Sequence, residues 1–237
     1  MVDALAPQPG QHVLELAAGP GETGFLVAEL LEPGGRLISS DQSEAMVEIA
    51  RARAAELGLT NVEFRVINAE SIDLPVASLD AVLCRWGFML MVDPAAALLE
   101  TRRVLRAGGR LALAVWASPS MNPWLVVPNQ AMIEAGLIEQ PDPSAPGAFA
   151  LSDADRLTAL LEDAGFVEVQ IEEVSIVRAA PSFEDWWEMH LDMSPSGRVV
   201  REAPPETARA VAAAVAERLE RYRLEIPGMC LVAAASA

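Results

Sequence analysis

The sequence predicts an α/β fold: a doubly wound, mostly parallel seven-stranded sheet with a helical lid insertion. Three observations support this prediction. An apolar segment, a glycine turn and an amphipathic segment follow one another between His12 and Leu31. Strand-like and helix-like segments then alternate up to Trp116, which is typical of a parallel sheet with right-handed crossovers. The last strand of this series, residues 110–116, is apolar without alternation, as expected for a strand covered on both faces.

The first strand–turn–helix unit is the most informative stretch of the chain. A buried strand is predicted over Val13–Leu16, a turn of small residues over Ala17–Gly21, and a helix from Glu22 onward. Small residues let the backbone of a turn approach a ligand closely, and the first turn of a helix offers unpaired N–H groups. The unit therefore predicts a ligand site at this turn.

Gly19, Gly21 and Gly24 form a G-x-G-x-x-G pattern in this turn. Taken alone, the pattern fits a nicotinamide- or flavin-binding domain equally well. Glu15 changes the interpretation, because an acid four positions before Gly19 would face the pyrophosphate of a dinucleotide at close range. A ligand with an ammonium or sulfonium group would be attracted instead, and S-adenosylmethionine (SAM) carries both.

The second strand is predicted from Arg36 to Ser40 and ends at Asp41. Asp41 lies twenty positions after Gly21, where an acid usually meets ribose hydroxyls, although a simple strand-end role is the alternative. Ser43 is expected to cap the next helix. The predicted apolar face of that helix comprises Met46, Ile49, Ala50, Ala54 and Leu57.

Two further strands, residues 62–67 and Leu79–Arg85, precede a helix predicted from Pro94 to Arg106. The triplet Asn68, Ala69 and Glu70 follows the third strand, and Arg85 ends the fourth. Ligands of such folds bind at the carboxyl ends of the parallel strands. One site is therefore predicted there, and it includes Glu15, Gly19, Asp41, Asn68 and Arg85.

The second half of the chain is expected to complete the sheet and cover the site. The predicted segments are a helix at 122–135, a helix capped by Ser152 that ends at Ala164, a strand at 166–177, a helix at 205–224 and a strand at 229–234, antiparallel beside the fifth and sixth strands. The expected organisation is a ligand-binding half at 1–117, lid and pocket segments at 118–150 and 179–224, and strands of the same sheet within 151–178 and 225–237.

The segment FEDWWEMHLDM is predicted to be a capped helix that is apolar nearly all round. Phe183, Trp187 and His190 share one face, and Trp186, Met189 and Met193 share another. Such a helix either packs as an ordinary lid or borders a lipophilic substrate. Together with Trp124, the residues Trp186, Trp187 and His190 form the predicted substrate pocket; His190 is either a structural histidine or a general base.

Composition excludes several classes of partner. The 237 residues carry a formal net charge of −17 and no lysine, which disfavours nucleic acids and anionic membranes. No apolar stretch is long enough for a membrane span, and the N-terminus does not resemble a secretory signal. Cys84 and Cys230 lie far apart, so two free thiols and a cytoplasmic location are expected, and no metal site is predicted. The sequence leaves a homodimer open.

The motifs LELAAGPGETG, ISSDQSEAMVEIA, NAESIDLPVASLDAVLCRWGF and RVLRAGGRLALAVW resemble the class I SAM-dependent methyltransferases. The similarity is greatest to the branch that includes the ubiquinone/menaquinone C-methyltransferases. It implies a Rossmann-like fold and SAM as the cofactor. Ala17 stands where this family more often has Gly or Asp, and Asn68 where it often has Asp.

The resemblance also implies roles for individual residues. Glu15 and the backbone at Ala17, Gly19 and Gly21 would hold the methionine end of SAM, and Arg85 would lie near the transferred methyl. The implied contacts of the nucleoside are Asp41 at the ribose, Gln42 beside the adenine, and Asn68, Ala69 and Glu70 at the adenine edge.

The predicted function is SAM-dependent methyl transfer to a small, aromatic or lipophilic molecule by in-line displacement. One alternative is a catalytically inactive SAM-binding regulatory protein, since Glu15 and Asp41 serve binding and not chemistry. A nicotinamide-dependent oxidoreductase is the other, but the chain has no Tyr-x-x-x-Lys pair.

Overall fold

The computed structural model describes residues 1–142, 145–194 and 196–237. The strands are β1 (His12–Glu15), β2 (Arg36–Asp41), β3 (Val62–Val66), β4 (Leu79–Arg85), β5 (Leu105–Trp116), β6 (Val167–Ala179) and β7 (Glu225–Ser236). The helices are α1 (Val2–Leu5), α2 (Glu22–Leu30), α3 (Glu44–Glu56), α4 (Pro94–Val104), α5 (Pro123–Glu134), α6 (Ala154–Asp163), α7 (Phe183–Met193), α8 (Gly197–Glu202) and α9 (Pro205–Leu219).

All seven strands form one sheet in the order β3-β2-β1-β4-β5-β7-β6. The first five strands pair in parallel, with Leu14 of β1 beside Ile38 of β2 and Val82 of β4. Strand β7 runs antiparallel to β5, because Ala237 donates to the carbonyl of Gly109 while Ala117 donates to that of Met229. The predicted fold class is confirmed.

The chain divides into two compact units. The first comprises Met1–Trp116, Pro146–Glu173 and Leu231–Ala237. Its core joins the buried faces of β1, β2, α2 and α3, with the apolar residues Val13, Phe25, Val27, Leu37 and Ala54 among its members. The second unit comprises Ala117–Ala145 and Val174–Cys230, without the undescribed residues.

Helix α3 packs on a different face from the predicted one. Val47, Ala50 and Ala54 are buried, whereas Met46, Ile49 and Leu57 are 39 %, 50 % and 59 % exposed. The buried stripe has the spacing of one helical face, and its two alanines let the helix lie close to β2 and β3. Side-chain size misled the prediction, because the larger apolar residues lie beside the contact and not in it.

Several predicted boundaries need correction. Helix α4 ends at Val104 and not at Arg106, because Leu105 already pairs with Leu79 in the sheet. Asp153, and not Ser152, caps α6: its carboxylate accepts the N–H of Arg156 at 3.0 Å. The long C-terminal helix ends as an α-helix at Leu219 and continues as a short 3-10 turn.

Helix α7 has the predicted cap, in which the Ser182 hydroxyl accepts the N–H of Asp185 at 3.1 Å. Its apolar residues are not buried all round, however. Trp186, Trp187, His190 and Leu191 are buried, while Met193 is 56 % exposed. The second predicted face was therefore wrong at its C-terminal end.

Both cysteines are free and buried. None of the helices in the described ranges is long and apolar enough to cross a membrane. Within the same ranges, no group of three or more His, Cys, Asp or Glu side chains is arranged to hold a metal ion.

Asn122, at the start of α5, connects three segments of the second unit. Its fully buried side-chain amide donates to the carbonyls of Ala117, Ser118 and Met229 at 3.0–3.2 Å. Its carbonyl oxygen accepts the Trp124 indole N–H and the Met229 N–H, both at 3.0 Å. The Asn122 side chain thus provides hydrogen-bond partners for polar groups from separate segments, which would otherwise be buried without partners.

We expect Asn122→Ala to lower the free energy of unfolding by roughly 2–4 kcal/mol, because several buried groups lose their partner at once. Urea denaturation followed by circular dichroism measures this. Asn129→Ala on the same helix is the matched control, since its side-chain oxygen is buried without a hydrogen bond among the described residues. It should cost less than about 1 kcal/mol. Equal losses for the two variants would contradict the connecting role of Asn122.

Candidate functional site

The predicted site residues of the first unit lie at the carboxyl ends of its parallel strands. Glu15 ends β1, Asp41 ends β2 and Arg85 ends β4, and these three strands are neighbours in the sheet. The chain that leaves β1 turns over this edge before α2 begins at Glu22. Side chains from three strands and the backbone of one turn are therefore brought together.

The turn after β1 is built from left-handed backbone. Ala17, Gly19 and Gly21 have φ values of 50°, 54° and 84°. At Gly21, a Cβ atom would overlap the ring of Phe25, so glycine is required there by space as well as by conformation. The N–H of Ala18 donates to the carbonyl of Ser40 at 2.8 Å, which ties the turn to β2.

Glu15 lies beneath this turn and is only 2 % exposed. Its Oε1 accepts the N–H of Gly24 at 2.8 Å. Its Oε2 is buried and has no hydrogen-bond partner in the part of the chain that the structure describes. A Cβ atom on Gly24 would lie 2.6 Å from the Glu15 carboxyl carbon. The third glycine of the G-x-G-x-x-G pattern therefore makes room for the carboxyl group of Glu15.

The Glu15 carboxyl has a raised pKa. Burial raises its pKa from 4.5 to about 8, against the lowering effects of the Gly24 hydrogen bond, the Arg85 charge and the nearby Ser39 hydroxyl. A buried acid with one unpartnered oxygen is ready to receive a hydrogen-bond donor or a cation, either of which would stabilise its ionised form.

Asp41 joins the two turns at the ends of β1 and β2. One carboxylate oxygen accepts the N–H of Gly19 at 3.0 Å, and the other accepts the N–H of Ser43 at 2.9 Å. Each oxygen has a second lone pair for a further donor. Gln42, the next residue, has an exposed side chain beside this carboxylate.

The triplet after β3 is tied into local structure. The side-chain oxygen of Asn68 accepts the N–H of Glu70 at 3.0 Å, and Ala69 is buried. Oε1 of Glu70 accepts the N–H groups of Val92 and Asp93 at 2.8 and 3.2 Å. Glu70 thus anchors the start of α4, which is a role that the sequence did not indicate.

Arg85 points along the carboxyl edge and forms an ion pair with Glu22, the first residue of α2, at 2.6 Å. Its guanidinium carbon lies 4.5 Å from the centre of the Trp86 ring. Trp86 in turn stacks on Trp116, with ring centres 4.5 Å apart. Glu22, Trp86 and Trp116 were missed by sequence reasoning. The available signal was the position of both tryptophans at the ends of neighbouring strands.

The predicted pocket residues of the second unit form an aromatic cluster. His190 stacks on Trp186 and Trp187 at 5.3 and 5.5 Å between ring centres, and Trp124 meets it edge-on at 6.4 Å. Phe183 extends the stack on the other side of both tryptophans, with ring centres 6.1 and 6.2 Å away. The structure brings Trp124, Trp186, Trp187 and His190 together.

Buried polar atoms occur inside this cluster. His190 Nε2 and Trp186 Nε1 are buried without a hydrogen-bond partner among the described residues. Burial, and then the positive charge of Arg178, lower the pKa of His190 to about 4. The imidazole is therefore neutral at pH 7, with a nitrogen able to accept a proton or a hydrogen bond.

Comparison with known proteins identifies relatives of this chain in sequence and in fold. Residues 7–165, more than half of the chain, match the model of a family described as methyltransferase domain. A 37.1 kDa protein in transposon TN4556 of Streptomyces fradiae is 41 % identical over 113 residues. That match covers 48 % of this chain and only 32 % of the relative.

Two longer matches have activities in their names. Nocamycin O-methyltransferase of Saccharothrix syringae is 32 % identical, over 78 % of this chain and 69 % of the relative. The ubiquinone/menaquinone biosynthesis C-methyltransferase of Escherichia coli is 28 % identical, over 71 % of each chain. Among solved structures, the YcgJ protein of Bacillus subtilis shares the fold, with a TM-score of 0.66 and 20 % identity over 100 % of this chain and 95 % of its own.

The raised pKa of Glu15 predicts a pH dependence of stability. The folded chain binds the Glu15 proton more tightly than the unfolded chain. The protonated carboxyl therefore stabilises the fold fully below about pH 4.5, and this stabilisation is lost as pH rises through about 8. We expect Glu15→Gln to remove this loss and to be more stable than the parent protein at pH 9 by a few kcal/mol, since one pKa unit is about 1.4 kcal/mol.

Urea unfolding at several values between pH 5 and 9 measures this difference. Glu29→Gln, an exposed position on helix α2, controls for the removal of one negative charge. If Glu15→Gln and the parent protein have parallel stability profiles, Glu15 does not carry a raised pKa.

Proposed function

We propose a class of methyl acceptor for this protein. The chain belongs to the methyltransferase domain family and is a SAM-dependent methyltransferase. The acceptor is a small molecule, aromatic or otherwise lipophilic, and the methyl group moves to it by in-line displacement. The observation that carries this proposal is the buried aromatic cluster of the second unit, which encloses two polar atoms without a hydrogen-bond partner among the described residues.

The carboxyl edge of the first unit fits SAM in its chemistry. The buried Glu15 Oε2 lacks a donor within the described residues, and the ammonium group of the cofactor is a donor with a positive charge. The left-handed turn at Ala17, Gly19 and Gly21 keeps side chains away from the backbone. When bound, SAM supplies a methyl group already activated on a sulfonium sulfur.

We assign the binding residues by the part of the cofactor that each would hold. Glu15 with Ala17, Gly19 and Gly21 would hold the methionine end, close to Arg85. Asp41 would accept hydrogen bonds from the ribose hydroxyls through its remaining lone pairs. Gln42, Asn68, Ala69 and Glu70 would border the adenine, where the side chain of Asn68 has one lone pair already used by Glu70.

Positioning is the main task of these residues, because the cofactor brings its own activation. The chain has to hold the acceptor atom in line with the methyl group and keep water out. A base is needed only when the acceptor must lose a proton, as with a phenol of pKa about 10. His190, neutral and with Nε2 unpartnered among the described residues, is the candidate for that base.

The relatives support this substrate class at the level of their names. Both named methyltransferases are assigned to small organic molecules, one as an O-methyltransferase and one as a C-methyltransferase. The formal net charge of −17 further supports a small molecule over a nucleic acid as the acceptor. The nicotinamide and regulatory alternatives receive no support from these comparisons.

Product analysis tests the acceptor class directly. We expect methyl-labelled SAM, incubated with pools of lipophilic phenols, enols and quinols, to give a labelled product that gains one methyl group by mass spectrometry. Trp187→Leu should reduce its formation at least tenfold, because Trp187 borders His190 in the aromatic cluster. Its affinity for S-adenosylhomocysteine should stay unchanged.

Glu184→Gln, an exposed position on the same helix α7, is the matched control and should retain full turnover. Label transferred only to polypeptide or nucleic acid would contradict a small-molecule acceptor. Unchanged product formation by Trp187→Leu would mean that the aromatic cluster serves internal packing and does not bind the acceptor.

Asp41→Ala tests the ribose assignment. We expect it to weaken S-adenosylhomocysteine binding by about 1.5–3 kcal/mol, the range for hydrogen bonds to a charged group, with Asp41→Asn less affected. Isothermal titration calorimetry measures the difference. Asp73→Ala, an exposed acid in the loop after Glu70, is the control and should bind like the parent protein. An unchanged affinity of folded Asp41→Ala would refute the assignment.

A further inference from the structure

Two consecutive residues at the end of β4, Arg85 and Trp86, carry hydrogen-bond donors. Arg85 carries a guanidinium group with several N–H donors, and its guanidinium carbon is 4.5 Å from the centre of the Trp86 ring. Trp86 Nε1 is buried and has no hydrogen-bond partner within the described residues. An unpartnered buried indole N–H favours any ligand that brings an acceptor oxygen to it.

The backbone holds Trp86 in a fixed and costly position. Its φ of 61° is in the left-handed region, which a bulky residue rarely occupies. The Trp86 N–H donates to the carbonyl of Ala114 at 2.8 Å. The next residue, Gly87, has no space for a Cβ atom, which would lie 2.6 Å from the Cβ atom of Ala17. Strain of this kind is found where a structure presets a side chain for a ligand.

In this structure the Glu22 carboxylate is bound to the guanidinium of Arg85. Oε2 of Glu22 accepts a hydrogen bond from Arg85 at 2.6 Å. This bond and the positive charge of Arg85 lower the pKa of Glu22. The other oxygen, Oε1, lies 3.8 Å from Arg53 of α3, so Glu22 keeps a positive partner if it leaves Arg85. Both members of the ion pair are partly exposed, which makes their separation inexpensive.

The ion pair joins the strand beside β1 to the helix that follows the glycine turn. Arg85 ends β4, the sheet neighbour of β1, whereas Glu22 begins α2 directly after the turn that leaves β1. A contact between these two residues therefore crosses the same edge at which Glu15 and the turn would hold the methionine end of SAM. That end carries one ammonium group and one carboxylate, and Glu15 can serve only the first.

We propose that Arg85 and Trp86 form a carboxylate-binding corner for the amino-acid end of SAM. Glu22 occupies Arg85 in the free protein, and the cofactor carboxylate replaces it while the indole N–H of Trp86 donates the second hydrogen bond. This inference rests on the cofactor assignment of the proposed function and adds two residues to it. Trp86 binds the ligand directly, and Glu22 competes with the ligand for the same arginine.

Two probes that differ by one carboxylate test the corner. S-adenosylhomocysteine has the full amino-acid end, and its decarboxylated analogue keeps the adenosine, the thioether and the amine. We expect the parent protein to bind the first about tenfold or more tightly, because a charge-assisted pair with arginine is lost in the second. Isothermal titration calorimetry gives both affinities.

Trp86→Phe should weaken binding of S-adenosylhomocysteine about fivefold or more and change that of the analogue less than twofold, since only the indole N–H is lost to a carboxylate. Trp116→Phe alters the same aromatic stack and keeps this N–H, so it should not discriminate between the two probes. Equal weakening of both probes by Trp86→Phe would make Trp86 a packing residue and overturn its role.

Glu22→Gln tests the competition without touching the aromatic stack. It should tighten binding of S-adenosylhomocysteine severalfold and leave the analogue unchanged. Glu44→Gln is the matched control, because Glu44 also opens a helix but forms no ion pair with Arg85 among the described residues. An unchanged or weaker affinity of Glu22→Gln for S-adenosylhomocysteine would overturn the competition.

Binding of the two probes to the parent protein distinguishes failure of the carboxylate-binding corner from failure of the SAM-site assignment. If it binds both probes with the same affinity, the corner is wrong and the assignment of Glu15 and Asp41 stands. If it binds neither probe, the assignment of the cofactor site to this edge fails, and the corner fails with it.

Discussion

The hydrogen bond from Gly24 to the buried carboxyl of Glu15 is the contact on which the site depends. It joins the end of β1 to the first turn of α2, and so sets where the intervening glycine turn lies. Asp41 then accepts a backbone N–H from that turn and another from the start of α3. Two acids at neighbouring strand ends thus fix three backbone segments, while each acid retains capacity for a ligand.

The second unit relies on polar contacts of a different kind. Asn122 satisfies backbone groups at both ends of the unit and the indole N–H of Trp124. Trp124 is held in this way beside His190, and Arg178 lies 4.0 Å from the centre of its ring. Burial lowers the pKa of Arg178. Burial of His190 and then the positive charge of Arg178 lower the pKa of the imidazole, which keeps it neutral. The aromatic cluster is therefore positioned by an amide rather than by apolar packing alone.

The sequence predicted the fold and the strand-end residues because periodicity and local turn chemistry are written in neighbouring positions. Glu15, Asp41 and Arg85 follow from this rule, since each ends a recognisable strand. The contact face of α3 does not, because it depends on how closely two alanines let the helix approach the sheet. Glu22 and Trp86 were missed for a related reason: their roles arise from contacts between residues more than sixty positions apart, or from a backbone angle that no local pattern reveals.

The lack of space at Gly24 links two positions of the chain that are nine residues apart. Any side chain at 24 would have to displace the end of the Glu15 side chain, so a change there is accommodated most easily by a shorter residue at 15. The two positions should therefore vary together among chains of this fold. A G-x-G-x-x-G pattern whose third glycine is replaced would indicate a strand-end acid that is shortened or absent, and hence a different way of holding the positive end of the ligand.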